Sequence, residues 1–267
     1  MARFPEGAPC WAVAMLPDLE AGKRFYGELL GWSYGGSGEE RHGYTTATLG
    51  GRVVAGLLAK PDGRMPTDWA LHLATEDAQA CARRIREAGG QVIMDPFPVG
   101  DVGRTAVAAD PGGAVFQLWE STSMPGFEIT GRPGAYAWAE VHTRDKEAVD
   151  AFYREVFGFG TEDLSGTLGQ DFLVWAPAGE PVDDAHAIGG RAVLEESAPE
   201  ELPAHFLTYF AVRNCDEAVQ VTARLGGRTL IGPQDTPYGR VASLVDNQGA
   251  YFAVIAEPDE GEPDEGE

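Results

Sequence analysis

The chain has 267 residues, 43% of them apolar, and a formal net charge of −22, and this length suits one large domain or two of ordinary size. The charge excludes nucleic acid and anionic membrane surfaces as partners, because binding a polyanion requires clustered lysine and arginine. No apolar run approaches the roughly 18 residues that cross a bilayer, and the first residues lack the apolar core of a signal peptide, so we expect a cytoplasmic protein.

The first predicted elements are a strand and a helix. Residues 10–16, CWAVAML, form the strand, and Asp18 is a plausible cap for the helix that follows. Gly31 is predicted to end this helix. Its apolar stripe consists of Leu19, Phe25, Tyr26, Leu29 and Leu30.

The same order then starts again within the first half of the chain. After two short strands, a new strand, WALHLAT, precedes a predicted helix, AQACARRIREAGG. Three further strands follow, so the unit of strand, helix and two or three strands occurs twice. The predicted strands lie at residues 43–49, 52–59, 69–75, 91–96, 104–110 and 114–120.

The second half of the chain repeats the first. Residues 11–32 align with residues 138–159 at an offset of 127, and residues 89–120 align with residues 226–257. The chain therefore contains two homologous halves and four repeated units. Identical residues at the first offset include Trp11/Trp138, Asp18/Asp145, Phe25/Phe152, Tyr26/Tyr153, Glu28/Glu155 and Gly31/Gly158.

The boundary between the halves is predicted in a stretch rich in glycine and proline. We predict a first domain over residues 1–121, a linker over 122–134 and a second domain over 135–257, each domain of ordinary size. The remaining residues, 258–267, are almost all acidic, glycine or proline and are predicted to be a disordered tail.

Two motifs carry a resemblance to a known family. F-Y-x-x-[LV]-[LF]-G closes the first helix of each half, and D-P-x-G-A or D-N-x-G-A precedes its last strand. With four βαβββ units, the chain resembles the vicinal oxygen chelate superfamily, which includes glyoxalase I, bleomycin-resistance proteins and extradiol dioxygenases. The tandem arrangement is similar to an actinobacterial subfamily with members in aromatic polyketide clusters. The resemblance implies an α+β fold of two tandem domains, whose four βαβββ modules build curved mixed sheets that form cups.

The resemblance also implies where metal ligands would stand. Members that bind metal place His, Gln or Glu on the first and last strands of each module. The matching positions here are Trp11 and Trp138, Ala70 and Leu207, and Gln117 and Ala253. Indole and alkyl groups are not metal ligands, so we expect no metal and no cofactor. A rebuilt site at Glu140, His142 and His205 remains an alternative.

Counting by twos along each strand predicts which side chains line the cups. The predicted walls are aromatic and apolar with few polar groups, which suits a flat, largely apolar ligand. In the alternative interpretation, Trp11 and Trp138 fill the former metal cavities as core. The predicted lining residues are Trp11, His72, Gln117 and Trp119 in the first cup, and Trp138, Glu140, His142, His205, Tyr209 and Tyr251 in the second.

These features predict a metal-independent small-molecule-binding or accessory protein of aromatic natural-product metabolism or resistance. Its partner would be a small aromatic or polyketide-like ligand, and the chain would be a monomer or a homodimer. One alternative is a cofactorless enzyme that uses Glu140 and His142 as an acid/base pair. Another is a metal-dependent, glyoxalase-like lyase or dioxygenase. Because polar residues replace Val13 and Met15 in the second half, we expect the two cups to differ.

Overall fold

A computed structural model describes residues 4–35, 43–195 and 198–258. Its strands form two eight-stranded mixed sheets, one from each half of the chain. The α+β architecture of two tandem domains is therefore confirmed, whereas the predicted disordered tail lies outside the described residues beyond Pro258. No helix in the described part of the chain is long and apolar enough to cross a membrane.

The first sheet has the strand order β2-β3-β4-β1-β5-β8-β7-β6. Strands β1 and β5, which open the two modules, lie side by side and antiparallel. The first two modules therefore pair within one chain. The elements are β1 (Pro9–Leu16), α1 (Leu19–Leu30), β2 (Ser33–Tyr34), β3 (Tyr44–Leu49), β4 (Arg52–Ala59), β5 (Asp68–Ala74), α2 (Ala78–Glu87), β6 (Gln91–Val99), β7 (Gly103–Ala109) and β8 (Val115–Ser121).

The second sheet repeats this order as β10-β11-β12-β9-β13-β16-β15-β14. A short extra helix, α4, is inserted between β10 and β11. The elements are β9 (Tyr136–Thr143), α3 (Lys146–Phe157), β10 (Gly160–Asp163), α4 (Ser165–Leu168), β11 (Phe172–Ala176), β12 (Gly189–Val193), β13 (His205–Ala211), α5 (Cys215–Arg224), β14 (Arg228–Thr236), β15 (Gly239–Val245) and β16 (Tyr251–Ala256).

Helix α1 begins and ends where the sequence predicts. The Asp18 carboxylate accepts a hydrogen bond from the Ala21 amide at 2.9 Å and caps α1. At the other end, Gly31 adopts the left-handed conformation with a φ of 73°, which a residue with a Cβ adopts only with strain. Gly158 ends α3 in the same way.

The two halves are held together by a reciprocal pair of hydrogen bonds. Tyr26 on α1 donates to Asp246 of the second half at 2.8 Å. Tyr153 on α3 donates to Asp110 of the first half at 3.2 Å. The Phe-Tyr motif of each half therefore contacts the Asp-x-x-Gly motif of the other half. The helices carry these tyrosines to the faces on which the halves meet, which leaves the opposite face of each sheet for a site.

Aromatic side chains fill the space around these hydrogen bonds. The ring of Phe210 lies 4.8 Å from that of Trp69 and 5.5 Å from that of Trp32, across the boundary between the halves. On the other side of this interface, Phe116 lies 6.3 Å from Phe152. Such buried ring pairs contribute to stability beyond the area that they bury, so one continuous core joins the halves.

The connection between the sheets, predicted as a linker, packs against the first domain. Phe127 is only 1% exposed and its ring stacks on Tyr136 at 4.6 Å. The Phe127 amide also donates to the carbonyl oxygen of Cys10 at 2.8 Å. The first sheet ends at Ser121 and the second begins at Tyr136, and the domain boundaries given above stay predictions.

Candidate ligand-binding site

The concave face of the second sheet, here called the second cup, brings together most of the predicted second-half residues. Strand alternation places Trp138, Glu140 and His142 on this face of β9, as predicted. Register with the antiparallel β13 sets the other side chains opposite them. The opposed pairs are Trp138/Tyr209, Glu140/Leu207 and His142/His205, and Ala253 of β16 lies beside Tyr209.

Glu140 is the centre of the polar contacts in the second cup. Its Oε1 accepts hydrogen bonds from His142 Nε2 and from the Tyr209 hydroxyl, each at 2.8 Å. Trp138 lies two residues before Glu140 on the same face of β9, and its side chain helps to lower the pKa of this carboxyl. Although burial raises the pKa of Glu140, the hydrogen bonds and the nearby His142 more than offset it, and its pKa lies below the usual value. Glu140 is therefore an ionised carboxylate that is only 6% exposed.

His205 stacks against His142 with ring centroids 5.1 Å apart and an angle of 11° between the planes. Its Nδ1 lies 2.9 Å from the carbonyl oxygen of Pro203. Because a carbonyl oxygen only accepts, Nδ1 carries the hydrogen and Nε2 has a free lone pair. Burial lowers the pKa of His205, so this ring is neutral at pH 7.

Tyr209 remains a neutral donor in this arrangement. Burial and the adjacent charge of Glu140 raise the pKa of its hydroxyl well above the usual value. The second cup thus presents one fixed negative charge bound by two donors, His142 and Tyr209, with aromatic rings beside it.

The second cup is accessible to solvent. Trp138, His205 and Tyr209 are half-buried. The side chain of His142 is 21% exposed. Tyr251 lies at the start of β16 and is 38% exposed. This face is an open concave surface with ring edges available for contact.

The matching face of the first sheet, the first cup, is packed shut. Trp11 is 2% exposed and donates from Nε1 to the Tyr44 hydroxyl at 3.2 Å. Its ring lies 5.5 Å from Phe127 of the connection. Trp119, 4% exposed, donates from its indole to the Met124 carbonyl at 2.8 Å. In the first half, the core interpretation of the tryptophan therefore describes the structure.

His72 and Gln117 lie at the bottom of the first cup. His72 is 5% exposed, and burial lowers its pKa to about 4. Its ring lies 3.2 Å from the Ala70 carbonyl oxygen, and Gln117 is its partner on the neighbouring strand β8. Gln117 in turn accepts from Thr105 at 3.3 Å. These polar groups satisfy one another, and their role as ligand contacts stays a prediction.

The strand register corrects the position on β5 that the sequence assigned to a metal ligand. The row across β1, β5 and β8 consists of Trp11, His72 and Gln117. The sequence count had placed Ala70 in this row, two residues before His72. In the second half the corresponding row contains Tyr209 instead of Leu207. This row of the first cup therefore contains two residues with metal-binding atoms, His72 and Gln117, whereas the count from the sequence placed only Gln117 in it.

Neither cup offers a complete set of metal ligands. His72 and Gln117 are two donors, whereas catalytic metal sites usually use three protein ligands. In the second cup, His142 Nε2 is already bonded to Glu140, and the parallel rings of His142 and His205 do not converge on one point. Across the described ranges, no group of three or more His, Cys, Asp or Glu side chains is placed to hold a metal ion. The residues present do not fit the metal that the resemblance implies.

The sequence did not identify every residue of the second cup. Ile231 of β14 pairs with Ser243, which pairs with Ala253, so Ile231 extends this face and is 52% exposed. Two register shifts interrupt β14 on either side of Ile231, and counting by twos fails across such bulges. An exposed isoleucine in an edge strand was the signal that could have found it.

Two grooves lie elsewhere, along the N-terminal segment. One of about 410 Å³ is lined by Thr75, Trp119 and Ser121. The other, of about 850 Å³, lies between the halves and is lined by Phe4, Arg84 and Phe157. Both are open, and Arg84 is already paired with Glu6 at 2.5 Å. The polar network and the stacked histidines make the second cup the stronger candidate.

The chain is similar in sequence to a known protein family and to two Streptomyces proteins. Residues 11–118 match the profile described as Glyoxalase/Bleomycin resistance protein/Dioxygenase superfamily. The chain is 36% identical to the anthracycline biosynthesis protein DauV of Streptomyces sp. strain C5 over 96% of this chain and 95% of that protein. It is 37% identical to the anthracycline biosynthesis protein DnrV of Streptomyces peucetius, with the same coverage.

A solved structure has the same architecture. The Mn(II)-bound glyoxalase from Novosphingobium aromaticivorans superposes with a TM-score of 0.63 over 96% of this chain and 84% of that chain. The two sequences are 16% identical, so the likeness concerns the fold alone.

Proposed function

The chain belongs to the Glyoxalase/Bleomycin resistance protein/Dioxygenase superfamily, and from this membership and the second cup we propose that it binds a small aromatic, polyketide-like ligand without a metal ion. The ligand lies in the second cup, against Trp138. Such binding serves aromatic natural-product metabolism as an accessory step or as resistance.

The observation that carries this proposal is the half-buried Trp138 beside Glu140, whose carboxylate accepts hydrogen bonds from His142 and Tyr209. Aromatic surface next to a few fixed polar groups is typical of sites for flat, largely apolar molecules. Ile231 and Tyr251 extend the apolar surface toward the rim. The first cup lacks comparable room, because Trp11 and Phe127 fill it.

The relatives support the biological setting. Both Streptomyces proteins are named for anthracycline biosynthesis and align along almost their whole lengths. Anthracyclines are aromatic polyketides, so a ligand of this chemical class agrees with the shape and polarity of the second cup.

A fluorescence titration with a hydroxyanthraquinone tests the proposal, because a ring stacked on Trp138 quenches its emission. We expect the quenching to fall by more than half in Trp138→Phe and to persist in the matched variant Trp11→Phe. Equal quenching in the two variants would contradict a site in the second cup. The metal content of the tag-free protein is measured first by elemental mass spectrometry, and near-stoichiometric metal would contradict metal independence.

A second candidate function is acid/base catalysis without a cofactor. The 2.8 Å contact between His142 Nε2 and the ionised Glu140 favours it, since a carboxylate fixes the tautomer of an imidazole and makes it a stronger base. In this case His142 Nδ1 would take a proton from the substrate.

Replacing His142 with alanine separates the two functions. The assay follows deuterium uptake from D2O into the acidic CH2 group of anthrone, alongside probe binding. If the protein only binds its ligand, His142→Ala loses a modest part of the affinity, and the wild-type protein catalyses no exchange. An enzyme would lose exchange by a factor of about 100 or more in His142→Ala, the usual size of a general-base contribution.

A further inference from the structure

The hydrogen-bond partners of His205 fix which of its nitrogens is free. Its Nδ1 donates to the Pro203 carbonyl oxygen at 2.9 Å. Nε2, the nitrogen farther from the backbone, is therefore an acceptor. Within the described residues it has no protein partner, and side chains on this face stand roughly perpendicular to the sheet. His205 thus presents a lone pair on the open side of the second cup.

The neighbouring ring repeats this polarity. His142 donates from Nε2 to the ionised Glu140, so its Nδ1 is an acceptor when the ring is neutral. No described residue donates to this nitrogen. His205 therefore offers an acceptor, and the parallel ring of His142, 5.1 Å away, offers a second one in its neutral form.

The charges around this face exclude anions. Glu140 carries a negative charge. The four adjacent strands β12, β9, β13 and β16 have no lysine or arginine at the positions that face the cup. Arg191 of β12 points the other way and pairs with Asp150 and Asp171. Arg144, which follows β9, donates to the carbonyl oxygens of Pro199 and Leu202. A ligand carboxylate on this face would lie near the negative charge of Glu140 and near hydrogen-bond acceptors, with no donor to bind it, so its binding is unfavourable.

From this geometry we propose that Nε2 of His205 accepts a hydrogen bond from a hydroxyl on the aromatic ring of the ligand. The proposal rests on the proposed function of the second cup and specifies its ligand as a neutral, phenol-like molecule. A ligand that covers His205 without donating leaves the nitrogen desolvated and unpaired, which weakens binding.

Calorimetric titration with three naphthalenes tests this proposal. Naphthol donates a hydrogen bond, its methyl ether only accepts one, and naphthoate is an anion, with all three substituted at the same ring position. We expect naphthol to bind about tenfold more tightly than the ether, the size of one hydrogen bond, and naphthoate to bind most weakly.

Three variants assign the preference to His205. His205→Phe keeps a ring against His142 but removes the acceptor, and we expect the preference for naphthol over the ether to disappear. His205→Gln supplies an amide oxygen and restores part of the preference. His186→Phe is the control, since His186 lies in a loop beside Asp183, and it should leave the preference unchanged.

The outcomes distinguish this inference from the proposed function. Equal affinity of the wild-type protein for naphthol and its ether, or a preference that survives in His205→Phe, would overturn the role of His205 and leave an aromatic site in the second cup. Tightest binding of naphthoate would do the same. Binding of none of the three probes would overturn both the inference and the proposed function.

Discussion

Glu140 is a buried carboxylate whose donors come from two side chains of the same face. His142 lies on its own strand, and Tyr209 lies on the neighbouring strand. These two donors and the nearby imidazole allow a charge to remain where burial alone would remove it. The group therefore orients the surrounding rings and keeps Tyr209 and His142 from donating elsewhere.

Replacing Glu140 with glutamine should destabilise the protein by about 1–3 kcal/mol at pH 7. The uncharged amide accepts weaker hydrogen bonds from His142 and Tyr209, and its NH2 group cannot accept any. The folded pKa of Glu140 is lowered from 4.5. Its stabilisation is therefore complete above pH 4.5 and is lost as the pH falls through the folded pKa. Urea unfolding of both proteins across this range measures the difference.

The control for this substitution is Glu155→Gln, at an exposed position on α3. We expect a change within about 0.5 kcal/mol there. A difference between wild type and Glu140→Gln that stays constant down to pH 3 would mean that the charge of Glu140 does not stabilise the fold.

Residue patterns predicted the second cup better than the first. Strand alternation placed Trp138, Glu140 and His142 on one face because β9 is regular through these positions. The ligand position on β5 was wrongly assigned to Ala70, because the pairing that sets His72 opposite Trp11 has no mark in a single sequence. The packing of Phe127 against Trp11 was also hidden, because glycine and proline around Phe127 predicted only a loop.

At the scale of elements, the connection between the sheets explains why the cups differ. Its residue Phe127 packs between Trp11 and Tyr136. Its Met124 carbonyl accepts from Trp119. Among the residues that the structure describes, this segment covers Trp11 and Trp119 of the first sheet and leaves Trp138 of the second half-buried.

Phe127→Ala tests whether the connection is part of the core. Removing a fully buried ring should cost about 3–5 kcal/mol of unfolding free energy, measured by urea denaturation. Ile93→Ala, in an edge strand where the side chain is 49% exposed, is the control and should cost less than about 1 kcal/mol. A loss below 1 kcal/mol for Phe127→Ala would show that the connection is a spacer.

At the scale of the whole molecule, the repeated motifs join the two halves of the chain. The tyrosine of each Phe-Tyr motif and the aspartate of each Asp-x-x-Gly motif meet across the two halves. The repeat could be found in the sequence, because both motifs are local. Their contact could not, since Tyr26 and Asp246 are 220 residues apart and a single sequence carries no information on such pairing.

The two reciprocal hydrogen bonds should differ in strength despite their symmetry. Tyr26 donates to Asp246 at 2.8 Å and also accepts from the Trp69 indole at 3.0 Å. Tyr153 donates to Asp110 at the longer distance of 3.2 Å. Tyr26→Phe therefore leaves the buried Trp69 indole N–H without its acceptor and removes one donor from Asp246, which keeps three backbone donors. Tyr153→Phe removes only one donor from Asp110.

We expect Tyr26→Phe to cost about 2–3 kcal/mol and Tyr153→Phe about 1 kcal/mol in urea unfolding. Because one core joins the halves, both variants should keep a single transition whose midpoint falls. Equal losses would contradict the role of the Trp69 hydrogen bond. Two separate transitions in either variant would mean that the halves unfold independently and that the tyrosines do not couple them.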